Sequence, residues 1–122
     1  IDYEEFCGIV PEERGTADIN LMPEELKERL DRKDDFLLVD VREPHEWDIC
    51  HIEGAKLVPL SELPARINEL DTAQEIVLHC KLGQRSLRAL NFLKSNGFRK
   101  LKNLVGGIDR WAQDVDPDMP RY

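Results

Sequence analysis

The sequence predicts an α/β fold, with a mainly parallel central sheet and helices on both faces. Two apolar runs, residues 36–41 and 75–79, are continuous rather than alternating, the pattern of strands buried on both sides. Segments with leucines at helical spacing separate these runs from further short strand candidates. Strands that alternate with helices call for parallel crossovers, and sites in such sheets lie beyond the carboxyl ends of the strands.

Taken in order, residues 1–17 hold Cys7, Gly8, Pro11 and Gly15 with little periodicity and read as an arm or linker before a domain over residues 18–122. A short strand is expected over residues 18–21. Pro23 suits a first helical position, and Glu24 and Glu25 then sit near the positive helix end. Leu26 and Leu30 share one face of this helix, which ends near Arg32. The strand over residues 36–41 carries one acid, Asp40. Residues 42–48, with Pro44 and Trp47, read as a polar loop, and residues 56–59 as another short strand. Ser61 is a candidate N-cap for a helix through Leu70, with Pro64 in its first turn. After the strand over residues 75–79 a helical pattern begins at Leu87. It places Leu87, Leu90 and Leu93 or Phe92 on one side and stops at Asn96-Gly97. Residues 101–105 read as the last strand. Gly106-Gly107 turns it into a short helix with Ile108 and Trp111, and Pro117 and Pro120 keep the tail from continuing that helix.

The chain has 122 residues, room for one core. Its net charge of −8 makes it a poor general nucleic-acid binder, and no run of lysines or arginines overrides that balance. No stretch has the length and apolarity of a membrane span. Three widely spaced cysteines, Cys7, Cys50 and Cys80, form no disulfide framework and point to a reducing, cytoplasmic location. There is no Cys-x-x-Cys pair, and the neighbours Cys50 and His51 would point apart on a strand, so no metal and no cofactor are expected.

The chemistry concentrates at Cys80. It follows an apolar strand and precedes Lys81, Leu82, Gly83, Gln84, Arg85 and Ser86. Backbone N–H groups of such a strand-to-helix loop can converge on the sulfur, and the helix N-terminus adds partial positive charge. Both favour thiolate, so Cys80 is the candidate nucleophile, with a pKa expected below the free-thiol value of about 8.5. A core cysteine would not carry so polar a cover. Four residues separate Cys80 from Arg85. Cysteine phosphatases place five there, around a phosphate. The smaller ring fits one extra sulfur atom better. His79 should face away from Cys80 and is read as structural, hydrogen-bonded beneath the loop. His45 and His51 are not assigned catalytic roles. Asp40 and Arg42 are read as a structural pair near the site, and Arg85 as a loop anchor as much as a substrate contact. Trp47, Phe98 and Trp111 read as core or near-core aromatics.

These pieces resemble a rhodanese-like domain over about residues 18–122. The resemblance rests on four blocks in register: residues 38–42; His45, Glu46 and Trp47 with residues 51–55 and Pro59; residues 80–86; and residues 104–108 with Trp111. Cys50 departs from the pattern, standing where the family usually has glycine; it either packs quietly or is a second thiol near the site. The resemblance implies that Cys80 carries sulfane sulfur as a persulfide, with the amides of residues 81–86 holding the outer sulfur. The donor would be thiosulfate or a cysteine desulfurase persulfide.

The first eight residues and the ending over residues 116–122 are similar to those of molybdopterin-synthase sulfurylases and related ubiquitin-activating-like fusions. The chain begins at Ile1 rather than Met and is expected to be a piece of a longer protein. That likeness implies an upstream adenylating domain, and a small ubiquitin-like sulfur-carrier protein as acceptor, in molybdopterin or thiamine biosynthesis. Two other functions stand beside it: a Cys-dependent phosphatase or arsenate reductase, and a rhodanese-type module that binds a partner without chemistry.

Overall fold

The computed structural model describes residues 19–120. The arm over residues 1–17 and the expected strand start at Asp18 lie outside the described residues. Five strands, β1 (Asn20–Leu21), β2 (Leu37–Asp40), β3 (Lys56–Leu57), β4 (Ile76–His79) and β5 (Leu101–Leu104), form one sheet in the order β1-β5-β4-β2-β3. Every pairing among them is parallel. Register aligns β2 with β4 from Leu37 opposite Ile76 to Asp40 opposite His79. The carboxyl ends of the two central strands therefore coincide, which brings the Asp40 and Cys80 regions to one edge.

Five helices complete the domain: α1 (Pro23–Asp31), α2 (Pro44–Ile49), α3 (Leu63–Arg66), α4 (Gln84–Ser95) and α5 (Gly107–Asp114). Strand side chains alternate between two apolar layers. Val39, Val41, Ile76, Leu78 and Cys80 pack with Leu63 of α3 and with Ala89, Leu90 and Leu93 of α4. Leu38, Val77 and Leu104 pack on the other face with Leu26 of α1 and with Ile108 and Trp111 of α5. Cys50 belongs to this second layer, opposite the layer that holds Cys80. Burial of Leu90 and Leu93 is worth about 1.5–3 kcal/mol each. That seat sets the rotation of α4, turning Ser86 inward and leaving Leu87 41% exposed. The expected apolar position at Leu87 is thereby corrected to Ser86, Ala89, Leu90 and Leu93.

Three local elements differ from the sequence reading. Residues 44–49 are helical rather than a loop: Pro44 occupies a first-turn position that needs no N–H donor, and the Glu43 amide donates to Glu46 Oε1 at 2.9 Å. Ser61 caps nothing. It lies inside a 3-10 turn, Leu60–Glu62, and the stretch to Leu70 breaks into α3 and a second 3-10 turn, Ile67–Glu69. Pro64 sits in the first turn of α3, where its missing N–H is tolerated. α4 begins at Gln84, three residues before Leu87, because Gly83 takes φ +112° and serves as its N-cap. Phe98 and Trp111 are buried as expected, while Trp47 is half-buried and stacks on His51 with ring centroids 4.0 Å apart. No described helix is long and apolar enough to cross a membrane.

Candidate active site

Cys80 is the first residue beyond β4, and its carbonyl and that of Lys81 are both engaged from below. The Ile108 amide donates to Cys80 O at 2.9 Å and the Asp109 amide to Lys81 O at 3.0 Å. These are first-turn amides of α5, donors that a helix leaves unpaired. With its carbonyls drawn toward α5, the loop is free to turn amides toward the sulfur. Gly107 makes this close approach possible: a Cβ there would sit 2.5 Å from Cys80 O and overlap Lys81 O.

The Gly83 amide donates to Cys80 Sγ at 3.0 Å. Ser86 Oγ lies 3.5 Å from the same sulfur. Ser86 Oγ also stands 2.6 Å from Asn103 Oδ1 and 3.1 Å from Gly83 O, and Asn103 Nδ2 donates to Gly83 O at 3.3 Å. Asn103 of β5 thus braces both the loop and its serine. Burial pushes the Cys80 thiol up. The Ser86 hydroxyl and the amides of Ser86, Gly83 and Leu82 more than offset that, and the net pKa falls below the ordinary thiol value. Cys80 is only 1% exposed. The sulfur is on the floor of the loop, with Leu82 58% exposed above it.

Of the six residues expected to hold substrate, Gly83 donates its amide to the sulfur and Ser86 brings its hydroxyl to 3.5 Å from it. Lys81 contributes its carbonyl to the α5 contact. Gln84 is exposed on the first turn of α4. Arg85 is held by Glu46, with Nη1 to Oε1 at 2.7 Å and Nη2 to Oε2 at 3.0 Å. Its guanidinium faces a neutralising carboxylate, the anchoring half of the sequence reading.

Asp40 and Arg42 are both fully buried. Arg42 Nε donates to both Asp40 oxygens, at 2.9 and 3.0 Å, and Nη2 donates to Asp40 Oδ2 and Cys50 O, each at 2.7 Å. The pair ties the end of β2 to the end of α2, a structural role. His79 is also fully buried, on the face opposite Cys80. Its Nδ1 is 3.3 Å from Cys80 O, and Nε2 has no hydrogen-bond partner and lies 3.8 Å from Asp40 Oδ2. Desolvation lowers its pKa, with Asp40 opposing and Arg42 adding to the shift, so the ring is neutral near pH 7. Among the described residues no group of three or more His, Cys, Asp and Glu side chains could hold a metal ion.

The roles of three contributors, Glu46, Asn103 and Gly107, escaped the sequence reading. Glu46 enters the sequence reading only within the second block of the resemblance, with no role of its own. Its placement three residues after Glu43, across Pro44, is the half of a capping box that could have singled it out. Asn103 carries no such signal, being a polar residue in an otherwise ordinary strand.

A single thiol held by amides at the carboxyl end of a parallel sheet defines an α/β cysteine-loop domain. Within that class, residues 22–114 match the Rhodanese-like domain family, and the chain belongs to it. It is 41% identical over its whole length to the "Probable adenylyltransferase/sulfurtransferase MoeZ" of Mycobacterium tuberculosis, covering 32% of that protein. It is 34% identical over 99% of its length to "Adenylyltransferase and sulfurtransferase MOCS3-2" of Zea mays, covering 28% of that protein. The chain therefore spans about a third of the length of these two relatives. Among solved structures, a rhodanese-like domain protein from Staphylococcus aureus superposes with a TM-score of 0.73 at 28% identity, over 79% of this chain and 93% of that one.

Proposed function

We propose that this domain is a sulfurtransferase that carries sulfane sulfur as a persulfide on Cys80. The observation that carries the reading is the Gly83 amide 3.0 Å from Sγ, with the Ser86 hydroxyl 3.5 Å from the same atom. Such donors stabilise a thiolate before attack and the terminal sulfur of a persulfide after it. With thiosulfate, the Cys80 thiolate attacks the outer sulfur, the S–S bond of thiosulfate breaks, and its electron pair leaves on sulfite. The product is Cys80–S–S⁻, formed without any proton abstraction. The names of the MoeZ and MOCS3 relatives support sulfur transfer and an adenylating domain elsewhere in the full protein; the acceptor in this proposal is a small carrier protein. The phosphatase reading is weakened by Glu46, which occupies both arms of the only arginine on the loop.

Treatment with thiosulfate followed by intact-mass measurement tests this. The chain is expected to gain the mass of one sulfur, Cys80→Ser to gain none, and Cys50→Ser to gain as the parent does. Gain in Cys80→Ser, or its loss in Cys50→Ser, overturns the assignment.

A further inference from the structure

A second concave surface lies at the other end of the sheet. It is a groove of about 840 Å³ at the amino ends of β1, β4 and β5, where Ile19, Glu75 and Lys100 enter those strands. Its construction follows from how α4 stops. Gly97 takes φ +92°, the Phe98 amide donates back to Leu93 O at 3.1 Å, and Phe98 is thereby buried against the core. Lys100 O then accepts the Ile76 amide at 2.8 Å, locking the entry to β5 beside β4. Ile19, Phe98 and Leu101 supply an apolar floor.

The rim is cationic. Among the described residues, Lys94, Arg99, Lys100 and Lys102 line the groove together with one carboxylate, Glu75. That carboxylate is engaged by Arg29, whose Nη1 donates to Glu75 Oε2 at 2.9 Å. Lys94 stands near the negative end of α4, which accounts for one of the four. The other three follow the helix, and Lys100 and Lys102 add to Arg29 in holding the Glu75 carboxyl below its ordinary range. In a chain of net charge −8, this is a local inversion of sign built around an apolar floor.

We propose that this groove docks an acidic segment of a partner protein, with an apolar side chain on the floor and carboxylates on the rim. Opposite charge favours such a segment, and the chain's overall negative charge repels it everywhere else. The groove and Cys80 are at opposite ends of the sheet, so the docked partner leaves the thiol loop open. The inference stands independently of the chemistry at Cys80.

The test is an amide-resolved NMR titration of the full chain with a capped Glu-Asp-Phe-Glu-Asp peptide at low and high salt. Saturable shifts are expected at Ile19, at Phe98 and over residues 99–102, with none over residues 80–86, and binding should weaken as salt rises. Combined Lys94→Glu and Arg99→Glu, at exposed positions, should weaken it at least fivefold, as should serine in place of the peptide phenylalanine. Absence of saturable shifts overturns the proposal, as does binding indifferent to charge reversal. Binding that appears only in a variant lacking residues 1–18 also overturns it, because the chain's own N-terminal segment would then be the occupant.

Discussion

Glu46 and Arg85, thirty-nine positions apart, form a two-armed ion pair that fastens α2 to the first turn of α4. The same carboxylate accepts the Glu43 amide, so one side chain both starts α2 and steadies the helix that follows the thiol loop. Arg85 is 34% exposed, which discounts the pair for solvent screening. Glu46→Ala should cost about 1–2 kcal/mol in urea unfolding. Glu46→Gln, which keeps an acceptor for Glu43, should cost less; equal losses would mean that the charge carries the whole effect and the cap nothing.

Arg42 is the largest of the fully buried side chains, and its charge is balanced by Asp40. Arg42→Ala should therefore cost about 3–5 kcal/mol by stranding the carboxylate. Replacing both, as Asp40→Leu with Arg42→Met, should recover part of that loss. A double variant as unstable as the single one would instead place the importance in the contacts to Cys50 O.

Alkylation of Cys80 against pH should give a midpoint below about 8.5, and Ser86→Ala should raise it. Between the lowered folded value and about 8.5, the unfolded chain holds a proton that the native one has released. Stability should thus climb as pH rises across that window, and this contribution is lost as pH falls through the folded value. Cys80→Ala should lack this increment in matched unfolding curves. An identical pH slope in both proteins would contradict the amide cradle.

For His79 the window lies lower. Its folded pKa is depressed, first by burial, so below about pH 6.5 the unfolded chain takes up a proton that the native ring refuses. The native state should weaken as pH falls from about 6.5 toward the folded value. His79→Gln should flatten that part of the stability profile; a profile unchanged by the substitution would show that other groups govern it.

Gly107→Ala should reach the thiol from a different element. The added methyl meets the carbonyls of Cys80 and Lys81, at a φ of +60°. We expect a stability loss of about 1–3 kcal/mol and a much smaller sulfur gain from thiosulfate. Full loading with only the stability loss would separate α5 from the chemistry.

The two central strands were legible because burial on both faces leaves an unbroken apolar run, as in Leu37–Asp40 and Ile76–His79. The stop at Asn96-Gly97 was legible because only glycine takes that turn cheaply. The helix Pro44–Ile49 was not, since six residues carry too little periodicity and its signal was a cap. Nor was the start of α4, because the glycine that looked like loop flexibility is its N-cap. At the site, the cysteine and its loop could be read in one stretch. Glu46, Asn103 and Gly107 could not, because each reaches the loop from another element.

The dependence on α5 has a temporal side. The peptide groups that orient the thiol loop are themselves oriented by residues 107–109, which follow Cys80 in the order of synthesis. A nascent polypeptide that has already exposed Cys80 to the cell carries, at that moment, an ordinary sulfhydryl. The loop is expected to take its final shape only after α5 has been made and has docked, so products that stop before residue 107 would hold an ordinary thiol even with the cysteine in place.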